Sequence, residues 1–310
     1  MGTVNAVDEK TILECCNCLQ TAMYSICENC GIDPIFVLIN GFSIEYGKKK
    51  GTDIWEILRL NTPLGFEEYY LNTCGLEFKE VNEKLENPTD LDFTSSEAVL
   101  IWEDAFYCPW NEAYKKTHVS HFCIAENYDS SAEALICNDP YLEKVNEVFP
   151  LSILFESPYR VFEIRKSNIE NCLSVESALK NLFSVITEEG IRGNYSRLIK
   201  DIYRAKEKKD LFENGNPQNC NLNIFTKQIS DCYKGLAYLF SDEKKVIDNP
   251  EIYDLLINAK NIWKKINFVL IRMNIKSKEE LNGCESLIEI LSEAEKIDLM
   301  IIKKIKLKWG

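Results

Sequence analysis

Histidine is nearly absent. The 310 residues hold two, His118 and His121, so a histidine general base must be one of that pair. Long apolar runs are missing as well. No window approaches the roughly 18 apolar residues of a membrane helix. Residues 1–10 are polar and acidic, without the apolar stretch of a signal peptide. The expectation is a cytoplasmic protein with no membrane partner. Basic charge is also short. Lys and Arg number 36 against 49 Asp and Glu, a net charge of −13, which argues against nucleic acid as a general partner. Basic clusters occur at residues 48–50, 204–209 and 303–308. Cysteine runs the other way, with 13 residues. In a reducing compartment these need not pair, and an odd count fits a complete disulfide framework poorly.

The stretch that organises the chain is Cys15-Cys-Asn-Cys18 followed by Leu19 to Gly31. Leu19, Ala22, Met23, Ile26 and Cys30 fall on one stripe at spacings of three and four, which predicts a helix from Cys18. Gly31 is its expected C-terminal stop. Cys18 thus sits where a loop enters a helix, beside free N–H groups and positive dipole that favour a thiolate and an oxyanion. Further along, 53–60 and 66–72 read as helical. Leu76 to Val81, Ala98 to Trp102, His121 to Tyr128, Ala134 to Cys137 and Arg160 to Ile164 read as strands. Asp129-Ser-Ser makes the middle pair a hairpin. A helix and then an antiparallel sheet is an α+β layer. From Ser167 onward the patterns are helical only: 174–187, 194–209, 222–240, 250–273 and 278–306, with a Pro250 start, a Ser277–Glu280 capping box and a loop around Asn214 to Pro217. The expected domains are therefore 1–165 and an all-helical 166–310.

The hairpin carries the chemistry. His121 opens one strand and Asp139 ends the next, so they become neighbours across the pair. A carboxylate there fixes the imidazole tautomer and stabilises imidazolium. With Cys18 opposite, the set is nucleophile, base and orienter: Cys18, His121 and Asp139.

These elements, taken in order, resemble the papain-like acyltransferases typified by the butirosin-pathway H protein. The residues that carry the resemblance are Cys18 with Gly31, Phe36 to Gly47, Asp104-Ala-Phe-Tyr107-Cys-Pro-Trp110, His121-Phe122, Tyr128-Asp129 and Asp139-Pro140. They span about 14–165, and the helical half looks like that family's companion domain. The resemblance implies a papain-like cysteine-protease-fold core. It also implies transfer of an acyl chain from an acyl or peptidyl carrier protein, through a Cys18 thioester, to a small amine or diamine, as in antibiotic assembly of the closthioamide type. No resident cofactor is implied; phosphopantetheine arrives on the carrier protein. Papain-type proteases have a Gln six residues before the Cys, where this chain has Ile12, so the oxyanion donors become the Cys18 N–H and the Asn17 side chain. Phe42, Tyr46, Phe106, Tyr107 and Trp110 are candidates to line an acyl tunnel, with core packing as the alternative. Glu103, Asp104 or Glu45 could hold the cationic second nitrogen of a diamine. A local basic patch, 204–209 or 48–50, would meet an acidic carrier.

Three rival readings remain open. Cys15/Cys18 and Cys27/Cys30 form two C-x-x-C pairs, as in a zinc site, but one continuous helix would hold Cys18 and Cys30 about 18 Å apart, so no metal is expected. A cysteine protease or thioesterase shares the acyl-enzyme and differs only in the acceptor. A docking scaffold with an idle triad is the third.

Overall fold

A computed structural model describes residues 12–39, 44–46, 58–60, 66–167, 173–204, 221–241, 247–275 and 284–309. In chain order they form α1 (Cys18–Asn29), β1 (Ile44–Tyr46), β2 (Leu58–Leu60), α2 (Phe66–Cys74), β3 (Leu76–Glu80), β4 (Ala98–Asp104), β5 (Ser120–Asp129), β6 (Ala134–Asp139), β7 (Lys144–Pro150) and β8 (Tyr159–Lys166). The longer remaining helices are α3 (Val175–Val185), α4 (Glu188–Arg204), α5 (Asn221–Leu239), α6 (Pro250–Ile275) and α7 (Cys284–Trp309). Residues 1–10 and 48–50, Phe42, the Asn214–Pro217 loop and the Ser277–Glu280 capping box lie outside the described residues, as do 205–209 of the second basic cluster.

The chain divides into two compact units. One comprises Cys16–Asn40 and Leu64–Ser174; the other comprises Met1–Cys15, Gly41–Pro63 and Val175–Gly310. The fold is α+β.

In the first unit, α1 and α2 accompany a six-stranded antiparallel sheet of order β3-β8-β4-β5-β6-β7. Its two central strands, β4 and β5, are short apolar runs, which is why Val99, Leu100, Ile101, Cys123, Ile124 and Ala125 are buried. On one sheet face Val99, Ile101, Cys123, Ala125, Leu135, Cys137 and Val161 join Phe149, Leu151 and Leu154 in a single apolar cluster. Phe66 at the start of α2 meets Phe78, Phe122 and Phe162 edge-on.

Helix α1 is enclosed on more sides than one stripe supplies. Besides Ala22, Met23 and Ile26, it buries Gln20, Thr21, Tyr24 and Cys27. Gly31 has φ of +68°, a conformation that glycine adopts without strain. The Ile32 N–H reaches the Cys27 carbonyl at 2.8 Å and the Gly31 N–H the Glu28 carbonyl at 2.9 Å, closing the helix in a Schellman motif. The helix runs unbroken, so Cys18 and Cys27 are about 13.5 Å apart along it and the C-x-x-C pairs do not converge.

Two elements differ from the sequence expectation. Leu58–Leu60 is strand β2, antiparallel to β1 with Ile44 opposite Leu60, not the end of a helix. A helical spacing over three residues is also an alternating one, and cross-strand pairing decides. Strand β7, which no pattern announces, pairs with β6 at the sheet edge. Most of its side chains are exposed, so it lacks an apolar run.

The second unit is helical apart from the β1–β2 hairpin, which contacts α4 and α5. Helices α5, α6 and α7 pack in sequence, with Trp263, Leu270, Leu291, Ile301 and Ile305 buried. Asp298 is 4% exposed and accepts hydrogen bonds from Tyr195 at 2.6 Å and Tyr233 at 2.5 Å. In the 303–308 cluster, Lys303 pairs with Glu188 at 3.6 Å and Lys304 with Glu251 at 2.5 Å. No helix among the described residues is long and apolar enough to cross a membrane.

Candidate active site

The site is built at the N-terminus of α1. Asn17 is the N-cap: its Oδ1 accepts the Gln20 N–H at 2.9 Å, while Gln20 Oε1 accepts the Asn17 N–H at 3.0 Å. This is a reciprocal capping box. Gln20 Nε2 then donates to the Val37 carbonyl at 2.8 Å, tying the first turn of α1 to the helical turn Pro34–Leu38. The backbone of Cys18 is fixed from both sides. Its N–H belongs to the first turn, where a helix has no acceptor of its own to offer. Among the described residues Asn17 Nδ2 has no hydrogen-bond partner, which leaves an uncommitted amide donor on the residue before Cys18.

Cys18 is half-buried, and its thiol donates to the Ser120 carbonyl at 3.9 Å. Ser120 opens β5, so His121 follows immediately. His121 Nε2 stands 2.7 Å from Asp139 Oδ2. Both side chains are enclosed, His121 at 4% exposure and Asp139 at 0%. The hairpin register produces this contact: β5 and β6 pair with Ile124 opposite Asn138. The Cys18 thiol is the second side chain that acts on the ring, and it too favours the protonated imidazole.

The electrostatics follow from the enclosure. Burial alone would push the His121 imidazole down. The hydrogen bond to Asp139 and the neighbouring Cys18 outweigh it and lift the imidazole to about 10. Burial likewise acts to raise the Asp139 carboxyl. His121, Trp110 and the Leu142 N–H overcome it and hold Asp139 below the usual carboxylate range. Trp110 Nε1 donates to Asp139 Oδ2 at 2.9 Å and the Leu142 N–H to Oδ1 at 3.1 Å.

His118 takes no part. Its side chain is 69% exposed, paired with Asp104 at 2.6 Å and stacked on Phe106 with ring centroids 4.4 Å apart. Asp104 also caps the turn after β4 by accepting the Phe106 N–H at 3.0 Å. It is therefore committed to His118 and backbone. Tyr107 is half-buried, its ring 5.1 Å from that of Phe106 and 5.0 Å from Lys115 Nζ. Trp110 packs edge-on against Phe149 at 5.2 Å and donates to Asp139. Glu103 is 0% exposed, which corrects the expectation that it meets an incoming amine: an enclosed carboxyl presents no surface to one. Phe42 and the side chains of Glu45 and Tyr46 lie outside the described residues.

Sequence reading missed Ser120, the acceptor for Cys18, and Tyr141, 44% exposed with its ring 6.3 Å from that of His121. Neither carries a pattern of its own. The capping box did have a signal, Asn17 with Gln20 three residues on. A cavity of about 400 Å³ opens along the far half of α1, lined by Ser25, Ile26, Asn29, Glu97, Glu126 and Lys144 among others. Ser25 is about 10 Å along the helix from Cys18, so this cavity lies away from the Cys18 sulfur. The chain matches no protein-family model, and no curated protein sequence matches it.

Proposed function

We propose that the protein is a cytoplasmic cysteine acyltransferase with a papain-like core, forming amides in the assembly of a carrier-bound metabolite. The observation that carries this reading is the convergence of Cys18, at the capped start of α1, with the enclosed His121–Asp139 pair at 2.7 Å. The acyltransferase part comes from the resemblance in residue order across Cys18, Asp104 to Trp110, His121 and Asp139.

The chemistry follows from the residues. Cys18 gives its proton to His121, and the sulfur attacks the carbonyl carbon of a carrier-protein thioester. The resulting oxyanion accepts hydrogen bonds from the Cys18 N–H and Asn17 Nδ2 at the positive end of α1. The tetrahedral centre collapses, the acyl-Cys18 thioester remains, and the pantetheine sulfur departs with the proton from His121. An amine then attacks that thioester, loses a proton to His121, and expels the Cys18 sulfur, which recovers the proton. Asp139 stays ionised throughout and keeps the ring oriented.

The test mixes protein, acyl-thioester donors and a panel of small amines and diamines, and follows products by mass. Amide product and a Cys18 acyl adduct, both lost in Cys18→Ala, are the expected result. Free acid alone, at a rate indifferent to amine, identifies a thioesterase or protease and overturns the transferase reading. No acyl adduct at all overturns the enzyme reading.

A further inference from the structure

Glu103 is a buried acid that the reaction above does not use. It lies on β4 directly opposite His121 on β5, fully enclosed, with neither carboxyl oxygen in a hydrogen bond. An enclosed acid without a donor is costly and rare, and calls for an explanation. Residues paired across antiparallel strands share a sheet face, so the Glu103 and His121 side chains leave the sheet together.

The groups acting on Glu103 are few. Asp104 follows it on its own strand, Cys108 lies just beyond β4, and His121 and Asp139 stand on β5 and β6. Cys123 on β5 is also within electrostatic reach, and Tyr159 on β8 is its other cross-strand partner. The Cys108 thiol beside the carboxyl also acts to lower it, less strongly than His121. Within this set only His121 can carry positive charge. Burial pushes the Glu103 carboxyl up to about 7, and His121 is the first influence that opposes it. Coupling between two titrating sites is reciprocal: whatever His121 does to ionise Glu103, ionised Glu103 does to protonate His121.

We propose that Glu103 is a positioning residue of the active site, a second enclosed carboxyl that acts with Asp139 to hold the His121 imidazole in its protonated form. The inference rests on Cys18 and His121 being the reacting pair, and it gives a reason for an enclosed acid directly across the strands from His121. A proton held on His121 is the one delivered to the departing pantetheine sulfur. Glu103 therefore acts through the histidine and touches neither substrate.

The chain has two histidines, so ring-labelled protein gives two NMR titrations, assigned with His118→Asn. In Glu103→Gln, which keeps shape and removes charge, the His121 midpoint is expected to fall by about one unit, a tenfold loss of proton affinity. His118, paired with Asp104, serves as the internal reference. An unchanged or raised His121 midpoint overturns the proposal, because a merely structural glutamate would leave it in place. If Glu103→Gln does not fold, the Cys18→Ala protein, free of the thiol's own titration, is used instead. Its His121 signal should carry a separate inflection near pH 7 from Glu103, and a curve without one overturns the proposal equally. Neither readout needs acyl transfer. A coupled His121 in a protein that makes no amide leaves Glu103 standing and removes the transferase reading. An uncoupled His121 in an active transferase does the reverse.

Discussion

Trp110 Nε1 donates to the oxygen of Asp139 that faces His121, at 2.9 Å. One oxygen thus serves two donors, and the indole holds the carboxylate in the position from which it holds the imidazole. Trp110→Phe keeps a ring against Phe149 and removes the donor. Hydrogen bonds to charged groups are worth about 1.5–3 kcal/mol, so a stability loss in that range is expected from denaturant melts. Turnover should drop about tenfold, one step of 1.36 kcal/mol in barrier, with little change in KM. A rise in KM alone would instead give Trp110 a place in acyl binding.

Cys18 should be the most reactive thiol. Among the described cysteines only Cys18 and Cys284 are half-buried; the other nine are buried. Burial pushes Cys15 and Cys30 up to about 11 and Cys232 to about 12, and also raises Cys284. A thiol held protonated is a poor nucleophile. Cys172 and Cys220 lie outside the described residues. Limited iodoacetamide labelling with peptide mapping should find Cys18 first; faster labelling of any other cysteine rejects its role as nucleophile.

Substitution should separate the roles in the triad. Cys18→Ala removes the proposed nucleophile, and acyl transfer should stop. His121→Ala removes the proposed general base, worth about 10²–10⁴-fold. Asp139→Asn should cost as much or less, because Asp139 orients the ring and does not react. Single-turnover rates with an acyl thioester measure all three. Full activity in His121→Ala is the outcome that the geometry cannot accommodate, since His118 is paired with Asp104 at the surface.

Much of this arrangement is legible in the sequence. The inner strands are legible because they are continuous apolar runs, and the His121–Asp139 contact because a hairpin turning after Asp129 brings strand start and strand end together. The helices of the second half are legible from their periodicity and from Pro250. Strand β7 is not, because an exposed edge strand needs no apolar pattern. The end of the 53–60 segment misleads because three residues do not separate helical from alternating spacing. The enclosure of Glu103 is hidden for a different reason. A glutamate beside an aspartate at a strand end has the composition of a solvated turn, and only the pairing of β4 with both β5 and β8 places it inside.

The His121–Asp139 pair should also mark the pH dependence of stability. His121 is raised on folding, from about 6.5 unfolded to about 10. The folded state binds its proton more tightly, so this contribution is complete below about pH 6.5 and is lost as pH rises through about 10. Asp139 is depressed on folding. Its contribution is present above the unfolded carboxylate value of about 3.9 and is lost as pH falls through its folded value. The two overlap fully between about pH 4 and 6.5. Glu103 adds a slope of the same sign as that of His121 and opposite to that of Asp139. An acid raised to about 7 favours folding less as pH climbs from about 4.3 through 7. Denaturant melts of the wild type and His121→Gln at half-unit steps of pH should differ most near pH 5–6, and converge toward pH 10. Melts of Glu103→Gln should gain on the wild type between pH 5 and 8. A His121→Gln deficit that grows above pH 7 would contradict the raised imidazole, and with it the claim that the proton for the leaving sulfur is stored there.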